Sequence, residues 1–146
     1  MRLGFRLGAG GVTRSEIDLY ADERELERLR RTVRRELDSH PGQEALAREI
    51  GVSRIVLRRF LEFSVPLEKH TQKIREWAED RPPVWVPFGA VLLGTMVRDL
   101  PAPERARTRR ELAGVLADGC LRAGCTVPRW VEEETFFDGV IAPALH

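Results

Sequence analysis

The spacing of apolar residues predicts four short helices in the first part of the chain. In each of them, large apolar residues recur every three or four positions among polar ones, which is the pattern of a helix with one buried face. Breaks that contain glycine or proline separate the four segments. The predicted helices span residues 22–38, 43–50, 54–63 and 67–79. Asp22 and Glu25 fit a capping box at the start of the first helix.

Two further apolar segments follow the paired prolines Pro82 and Pro83, which form a stiff, extended joint. The apolar faces of these segments consist of Phe88, Val91, Leu92, Thr95 and Met96 in the first and of Leu112, Val115, Leu116 and Cys120 in the second. One more turn of helix is predicted over residues 129–134. The chain therefore divides into a glycine-rich, flexible leader (residues 1–14), a helical unit (15–80) and a C-terminal helical region (84–146).

Composition favours an all-α fold without a membrane segment. Alanine, leucine, arginine and glutamate dominate, and aromatic residues make up only 7% of the chain. The longest apolar stretch, residues 84–97, is too short and too interrupted by Pro87, Gly89 and Gly94 to span a bilayer. The N-terminus lacks the apolar core of a signal peptide. We therefore expect a cytoplasmic protein.

Few residues suggest metal binding or catalysis. Cys120 and Cys125 have a spacing that is not typical of zinc or redox sites, and we expect both to be reduced and partly buried. The C-terminal region offers no nucleophile with a base, no paired catalytic carboxylates and no phosphate loop. The acidic cluster at residues 132–134 is interpreted as a solvated helix end. We expect neither a metal nor another cofactor, and no enzymatic activity.

Residues 43–61, QEALAREIGVSRIVLRRFL, carry the most informative pattern. Ala47 is small where two helices would cross closely, and Gly51 is suited to a left-handed turn between them. Ser53 is positioned to cap the second helix. The positions that would face the core are all apolar: Leu46, Ile50, Val52, Leu57 and Phe60.

With its flanking helices, this segment resembles the helix-turn-helix of the lambda repressor and xenobiotic-response-element regulator family over about residues 22–79. The resemblance implies a lambda repressor-like helical bundle whose second motif helix lies in the major groove of DNA. It implies base contacts from the start of that helix, where arginine can pair with guanine, and phosphate contacts at the neighbouring helix ends. The candidate DNA-binding residues are Gln43, Ser53, Arg54, Ile55, Arg58, Arg59 and Lys69.

Two features of the motif leave its partner open. Ile55 and Val56 are apolar where short polar residues are more usual, so they would contact either thymine methyl groups or a protein. Glu62, just after the helix, would be repelled by phosphate. The net charge of the whole chain is only +1, so an attraction to DNA has to come from local clusters such as the three arginines of SRIVLRRFL.

The remaining charged and aromatic residues are expected to serve the fold. The arginines of the first helix are interpreted as a solvated surface with an ordinary Glu27–Arg31 pair; they are Arg28, Arg30, Arg31, Arg34 and Arg35. Trp77 is expected in the core, and Trp85 and Trp130 are expected between the two helical parts.

The resulting expectation is a transcriptional regulator, most simply a repressor, that binds a palindromic operator as a homodimer with half-sites about 34 Å apart. The apolar helices after Pro83 would supply the dimer surface. An antitoxin or adaptor, whose C-terminal helices bind a partner protein, is the alternative. A motif that no longer binds DNA is a third interpretation, and it predicts no salt-dependent affinity for any duplex.

Overall fold

The computed structural model describes residues 14–136, with side chains from residue 19 to residue 134. The prediction of an all-α fold is confirmed over this range, which holds seven helices and no strand. They are α1 (Arg14–Leu37), α2 (Gln43–Ile50), α3 (Arg54–Leu61), α4 (Glu68–Ala78), α5 (Phe88–Met96), α6 (Ala102–Ala123) and α7 (Arg129–Phe136). The predicted leader lies outside the described residues, apart from Arg14, as does the end of the C-terminal region, residues 137–146.

Helices α1 to α4 surround one apolar core. The predicted bounds of α2 are exact, and those of α4 differ by one residue at each end. Side chains from all four helices bury their apolar surface together, which is the main favourable contribution to folding. The core consists of Leu26, Leu29, Val33, Leu46, Ala47, Ile50, Leu57, Phe60, Leu61, Ile74 and Ala78, with Trp77 packed against it.

Helix α1 starts at Arg14, well before the predicted start at Asp22. Asp22 is exposed inside the helix, so the predicted capping box is wrong. The early turns of α1 instead pack against α5, where the rings of Tyr20 and Phe88 lie 5.8 Å apart. This contact comes from a distant part of the chain, and the local sequence around Asp22 does not reveal it.

The C-terminal helices pack on α1 and on one another. Helix α5 lies against α1, and α7 folds back along α6. The indole of Trp130 occupies the space where a side chain at Gly89 would lie, so Trp130 joins α7 to α5. The expected position of Trp85 between the two helical parts is wrong, because Trp85 is 73% exposed. Helix α1 is therefore the element shared by the core bundle and the C-terminal helices.

The predicted apolar faces of α5 and α6 remain largely open to solvent. Phe88, Leu92 and Met96 form an exposed row along α5. The buried side of α5 is instead formed by Ala90, Val91, Leu93 and Gly94. On α6, Val115 and Leu116 are likewise exposed. Both helices thus present apolar surface that the described part of the chain does not cover.

Four charged side chains form a buried ion network at the junction of α1, α6 and α7. Arg109 donates to both carboxylate oxygens of Glu134, at 2.7 and 3.1 Å, and lies 3.4 Å from Glu27. Glu27 also pairs with Arg30 at 3.2 Å. Glu27, Arg30, Arg109 and Glu134 are each 5% exposed or less, so two positive and two negative charges compensate one another away from water.

The buried ion network overturns two expectations from the sequence. The arginines of α1 are not all a solvated surface, because Arg30 is 1% exposed, and Glu27 is fully buried although it keeps its predicted pair with Arg31 at 2.8 Å. The acidic cluster at residues 132–134 is not simply a solvated helix end either, because Glu134 is buried against Arg109. The physical reason is that Arg109, which pairs with both Glu27 and Glu134, lies on a helix distant in sequence from Glu27.

Low pH should lower the free energy of unfolding because it protonates Glu27. Burial on its own would raise the pKa of this carboxyl, but Arg109, Arg30 and two further arginines lower it from 4.5 to about 2. The folded state therefore binds a proton at Glu27 more weakly than the unfolded state does. The contribution of ionised Glu27 to the free energy of unfolding is fully present above pH 4.5 and is lost as the pH falls towards 2. This carboxyl is expected to contribute about 3 kcal/mol at neutral pH.

Urea denaturation at several pH values measures this contribution. Glu27→Gln is the control, because it removes the titrating group and should flatten the pH dependence between pH 5 and about 2. An equally steep loss of stability in Glu27→Gln would contradict the assignment to Glu27.

Candidate nucleic-acid interface

Helices α2 and α3 are joined by a tight turn at residues 51–53. Gly51 has φ 101° and ψ 25°, in the left-handed region that favours glycine, as the sequence predicts. Its N–H donates to the carbonyl oxygen of Ala47 at 2.8 Å, and its own carbonyl oxygen accepts from Lys73 Nζ at 3.2 Å. Ala47 is 2% exposed, in agreement with the need for a small residue. The turn is thus fixed from both α2 and α4.

Ser53 caps α3. Its Oγ accepts the backbone N–H of Val56 at 3.1 Å, which satisfies one of the free donors at the helix start. Ser53→Ala is therefore expected to lower the free energy of unfolding by about 1 kcal/mol. Thermal or urea denaturation checks this value, and Ser53→Asp, which can cap equally well, should retain the parent stability. A loss as large in Ser53→Asp as in Ser53→Ala would argue against capping.

The outward face of α3 carries three arginines that have no partner in the described part of the chain. Arg54, Arg58 and Arg59 are exposed, and α3 contains no acidic residue. Elsewhere in residues 19–134, only Arg24, Arg110 and Arg122 lack an ion pair, hydrogen bond or ring contact. The partnered ones comprise Arg28, Arg30, Arg31, Arg34, Arg35, Arg48, Arg75, Arg81, Arg98, Arg105, Arg107, Arg109 and Arg129. Positive charge on α3 is therefore free to meet an external anion.

The other predicted contact residues differ in position. Ile55 is 53% exposed on α3, beside the arginines, whereas Val56 is half-buried. Gln43 is the first residue of α2. Gly42, which precedes it, has no side chain that could cap the helix, so the first backbone N–H groups of α2 remain available to an anion. Lys69 is exposed near the start of α4. The structure thus places Ile55 with the arginines of α3, and Gln43 and Lys69 at the starts of two other helices.

Helix α3 ends earlier than predicted, at Leu61, because Phe63 adopts φ 72°. The N–H groups of Phe63 and Ser64 bond to the carbonyl oxygens of Phe60 and Arg59, which closes the helix as a Schellman motif. Glycine is the usual residue at this position, and another residue costs roughly 1–2 kcal/mol. Here the Phe63 ring is buried, and the Arg30 and Arg109 guanidiniums lie 4.6 and 4.1 Å from its centre. These contacts hold the strained turn.

A buried and a half-buried arginine tie the end of α3 to the rest of the molecule. Arg30 Nε donates to the carbonyl oxygen of Phe60 at 2.8 Å, and Arg105 donates to that of Phe63 at 2.8 Å. The sequence reasoning missed both residues. Arg30 lies four positions after Leu26 and three before Val33, on the same helix face, and this register is the signal that could have identified it. Nothing local marks Arg105, which reaches α3 only through the tertiary fold.

Neither a metal-binding cluster nor a membrane-spanning helix is found among the described residues. No group of three or more histidine, cysteine, aspartate or glutamate side chains in residues 19–134 is arranged to hold a metal ion. Cys120 is half-buried and Cys125 is exposed in the loop after α6, so the expectation of partial burial is wrong for Cys125. None of the described helices is long and apolar enough to cross a membrane.

Comparison with known proteins found no similar protein. No protein-family model, no curated protein and no solved structure matches the chain.

Proposed function

We propose that the protein is a sequence-specific, double-stranded DNA-binding regulator of transcription, acting as a repressor through the helix-turn-helix formed by α2 and α3. The observation that carries the proposal is the exposed face of α3, where Arg54, Arg58 and Arg59 have no partner within residues 19–134. A helix of this kind fits the major groove, where arginine can donate two hydrogen bonds to guanine. Ile55, exposed beside them, is suited to a thymine methyl group.

The charge distribution supports DNA rather than a general polyanion. With a net charge of +1, the chain as a whole is close to neutral, and α3 concentrates unpaired positive charge on one surface. The open N–H groups at the start of α2 add a site that favours a phosphate. Glu62, exposed at the end of α3, disfavours phosphate at that end. Together these features orient the duplex towards the start of α3.

A selection of bound sequences from random duplexes tests the proposal. We expect enrichment of a motif with guanines and thymines in each half-site, bound with an affinity that falls as salt increases. Correctly folded protein that enriches no sequence would contradict the proposal. Binding of all duplexes with equal affinity would contradict its sequence-specific part.

We propose that regulation requires a homodimer, because one recognition helix covers only a few base pairs. Helix α6 offers a surface for a second copy: Val115 and Leu116 are exposed, and a Cβ at Gly119 would meet only the end of the Arg122 side chain, at 3.9 Å. Glycine inside a helix costs up to about 1 kcal/mol relative to alanine. Antiparallel pairing of two α6 helices would set Glu111 against the partner's Arg122, which is favourable.

Sedimentation velocity tests this dimer. The parent protein should sediment as a dimer at micromolar concentration, and Leu116→Glu should be a monomer. Leu121→Glu is the matched control, because Leu121 is exposed on another face of α6 and this change should leave the dimer intact. A monomeric parent protein would contradict the proposal.

The second candidate is an adaptor or antitoxin that binds a partner protein through its C-terminal helices. The observation that favours it is the exposed row of Phe88, Leu92 and Met96 on α5, with Trp85 close by in sequence and 73% exposed. Large exposed aromatic residues are typical anchors of protein interfaces. The two functions can coexist. Arg54→Ala with Arg59→Ala should abolish duplex binding and leave capture of a partner intact.

A further inference from the structure

A cleft lies between the end of α3 and the first turns of α6. It has a volume of about 400 Å³, within the range of small-molecule sites. Its apolar lining consists of Phe63 after α3 and of Ala102, Pro103 and Ala106 on α6. Arg59, Glu62, Ser64 and Arg110 provide its polar groups. The cleft is thus mostly apolar, with two guanidiniums against one carboxylate.

Arg110 has no partner among the residues that the structure describes. Among the buried or half-buried arginines in residues 19–134, it is the one without an ion pair, hydrogen bond or ring contact. A guanidinium that is partly shielded from water beside apolar groups binds an anion more strongly than a fully solvated one does. Arg59, across the cleft, is also unpaired. Both cations are available to a ligand that enters the cleft.

We propose that this cleft binds a small organic acid with an apolar, preferably aromatic, body and a carboxylate group. The apolar body would lie against Phe63, Pro103 and Ala106. The carboxylate would accept hydrogen bonds from Arg110 and Arg59, whose two positive charges outweigh the one negative charge of Glu62. Inorganic phosphate would leave the apolar lining unused. Arg105, on α6, donates a hydrogen bond to the carbonyl oxygen of Phe63 at 2.8 Å, which keeps the two sides of the cleft together.

The ligand would act on DNA binding through Arg59, an inference that rests on the proposed function. Arg59 belongs both to the cleft and to the outward arginines of α3. A carboxylate bound to Arg59 neutralises its charge and withdraws its donors from a phosphate or base. The acid would therefore weaken binding to the operator and relieve repression.

Calorimetric titration of the full chain with phenylacetate tests the cleft. We expect saturable binding in the millimolar range or tighter, and no comparable binding of phenylacetamide, which lacks the charge, or of inorganic phosphate, which lacks the apolar body. Arg110→Gln should weaken phenylacetate binding by about tenfold or more. Arg24→Gln, which removes an exposed, unpartnered arginine of α1, should bind phenylacetate as the parent protein does.

Several outcomes would overturn the cleft proposal: no saturable binding of phenylacetate, equal binding of phenylacetamide or phosphate, or unchanged binding in Arg110→Gln. The comparison of the acid with its amide uses the parent protein, so it does not depend on how a variant folds. The effect on DNA is measured separately, as the loss of affinity for a selected duplex at saturating phenylacetate. Binding of phenylacetate by a protein that binds no duplex would overturn the proposed function and leave the cleft proposal standing.

Discussion

Arg109→Met is expected to lower the free energy of unfolding by about 3–5 kcal/mol, the largest effect of any single change proposed for this protein. Arg109 is 1% exposed and holds Glu134 with two hydrogen bonds. Its removal leaves the carboxylate of Glu134 buried without its partner and weakens the compensation of Glu27. Burial lowers the pKa of Arg109, but Glu27 and Glu134 more than offset this and raise it, so the guanidinium is charged at neutral pH.

Urea denaturation followed by circular dichroism measures the loss. Arg107→Met on the same helix is the matched control, because Arg107 is exposed and its pair with Glu104 is screened by solvent, so its loss should change the stability little. A second variant, Arg109→Met with Glu134→Met, removes both charges and should recover most of the stability. A cost for Arg109→Met no larger than that for Arg107→Met would contradict the importance of the buried ion network.

Arg54→Ala combined with Arg58→Ala should reduce the affinity for a selected duplex by at least about 30-fold. Each arginine that pairs with guanine contributes about 1–3 kcal/mol, so two together contribute about 2–6 kcal/mol. Both side chains are exposed and unpaired, so their removal leaves the fold intact. Arg59 is kept in this variant because it also lines the cleft. Fluorescence anisotropy at fixed salt concentration gives the affinity.

The control for this double variant is Arg24→Ala with Arg129→Ala. Both are exposed arginines, on α1 and α7, so this variant loses the same total charge from surfaces other than α3. Its affinity should stay within a few-fold of the parent value, since the remaining effect is only long-range and screened. Equal affinities for the α3 variant and the parent protein would show that α3 does not read the duplex.

The sequence was sufficient to predict the local features around α2 and α3. Gly51 in a left-handed turn, Ser53 as a cap and Ala47 in the core follow from short-range rules that depend on neighbouring residues only. The exposure of Arg54 and Arg58 follows from the same helical period. These predictions hold because the rules act within one or two turns of helix.

Features that depend on distant residues were not predicted. The early start of α1 relies on α5, the burial of Glu27 and Glu134 relies on Arg109 of α6, and Arg30 reaches the carbonyl oxygen of Phe60 on α3. A charged residue is usually exposed, so the pattern alone assigned these side chains to the surface. Arg110 was missed for the same reason, because the cleft exists only once α6 lies beside the end of α3.

If the protein acts as the proposed dimer, the attachment of α6 to the last turn of α3 would limit which operators it can use. Arg105 and the Phe63 ring connect the two helices directly, without a flexible linker. If two copies pair through α6, the distance and the angle between their recognition helices are then built into the protein. One extra base pair between half-sites rotates one of them by about 35° around the DNA axis. The regulator should therefore tolerate changes in half-site sequence better than changes in spacer length.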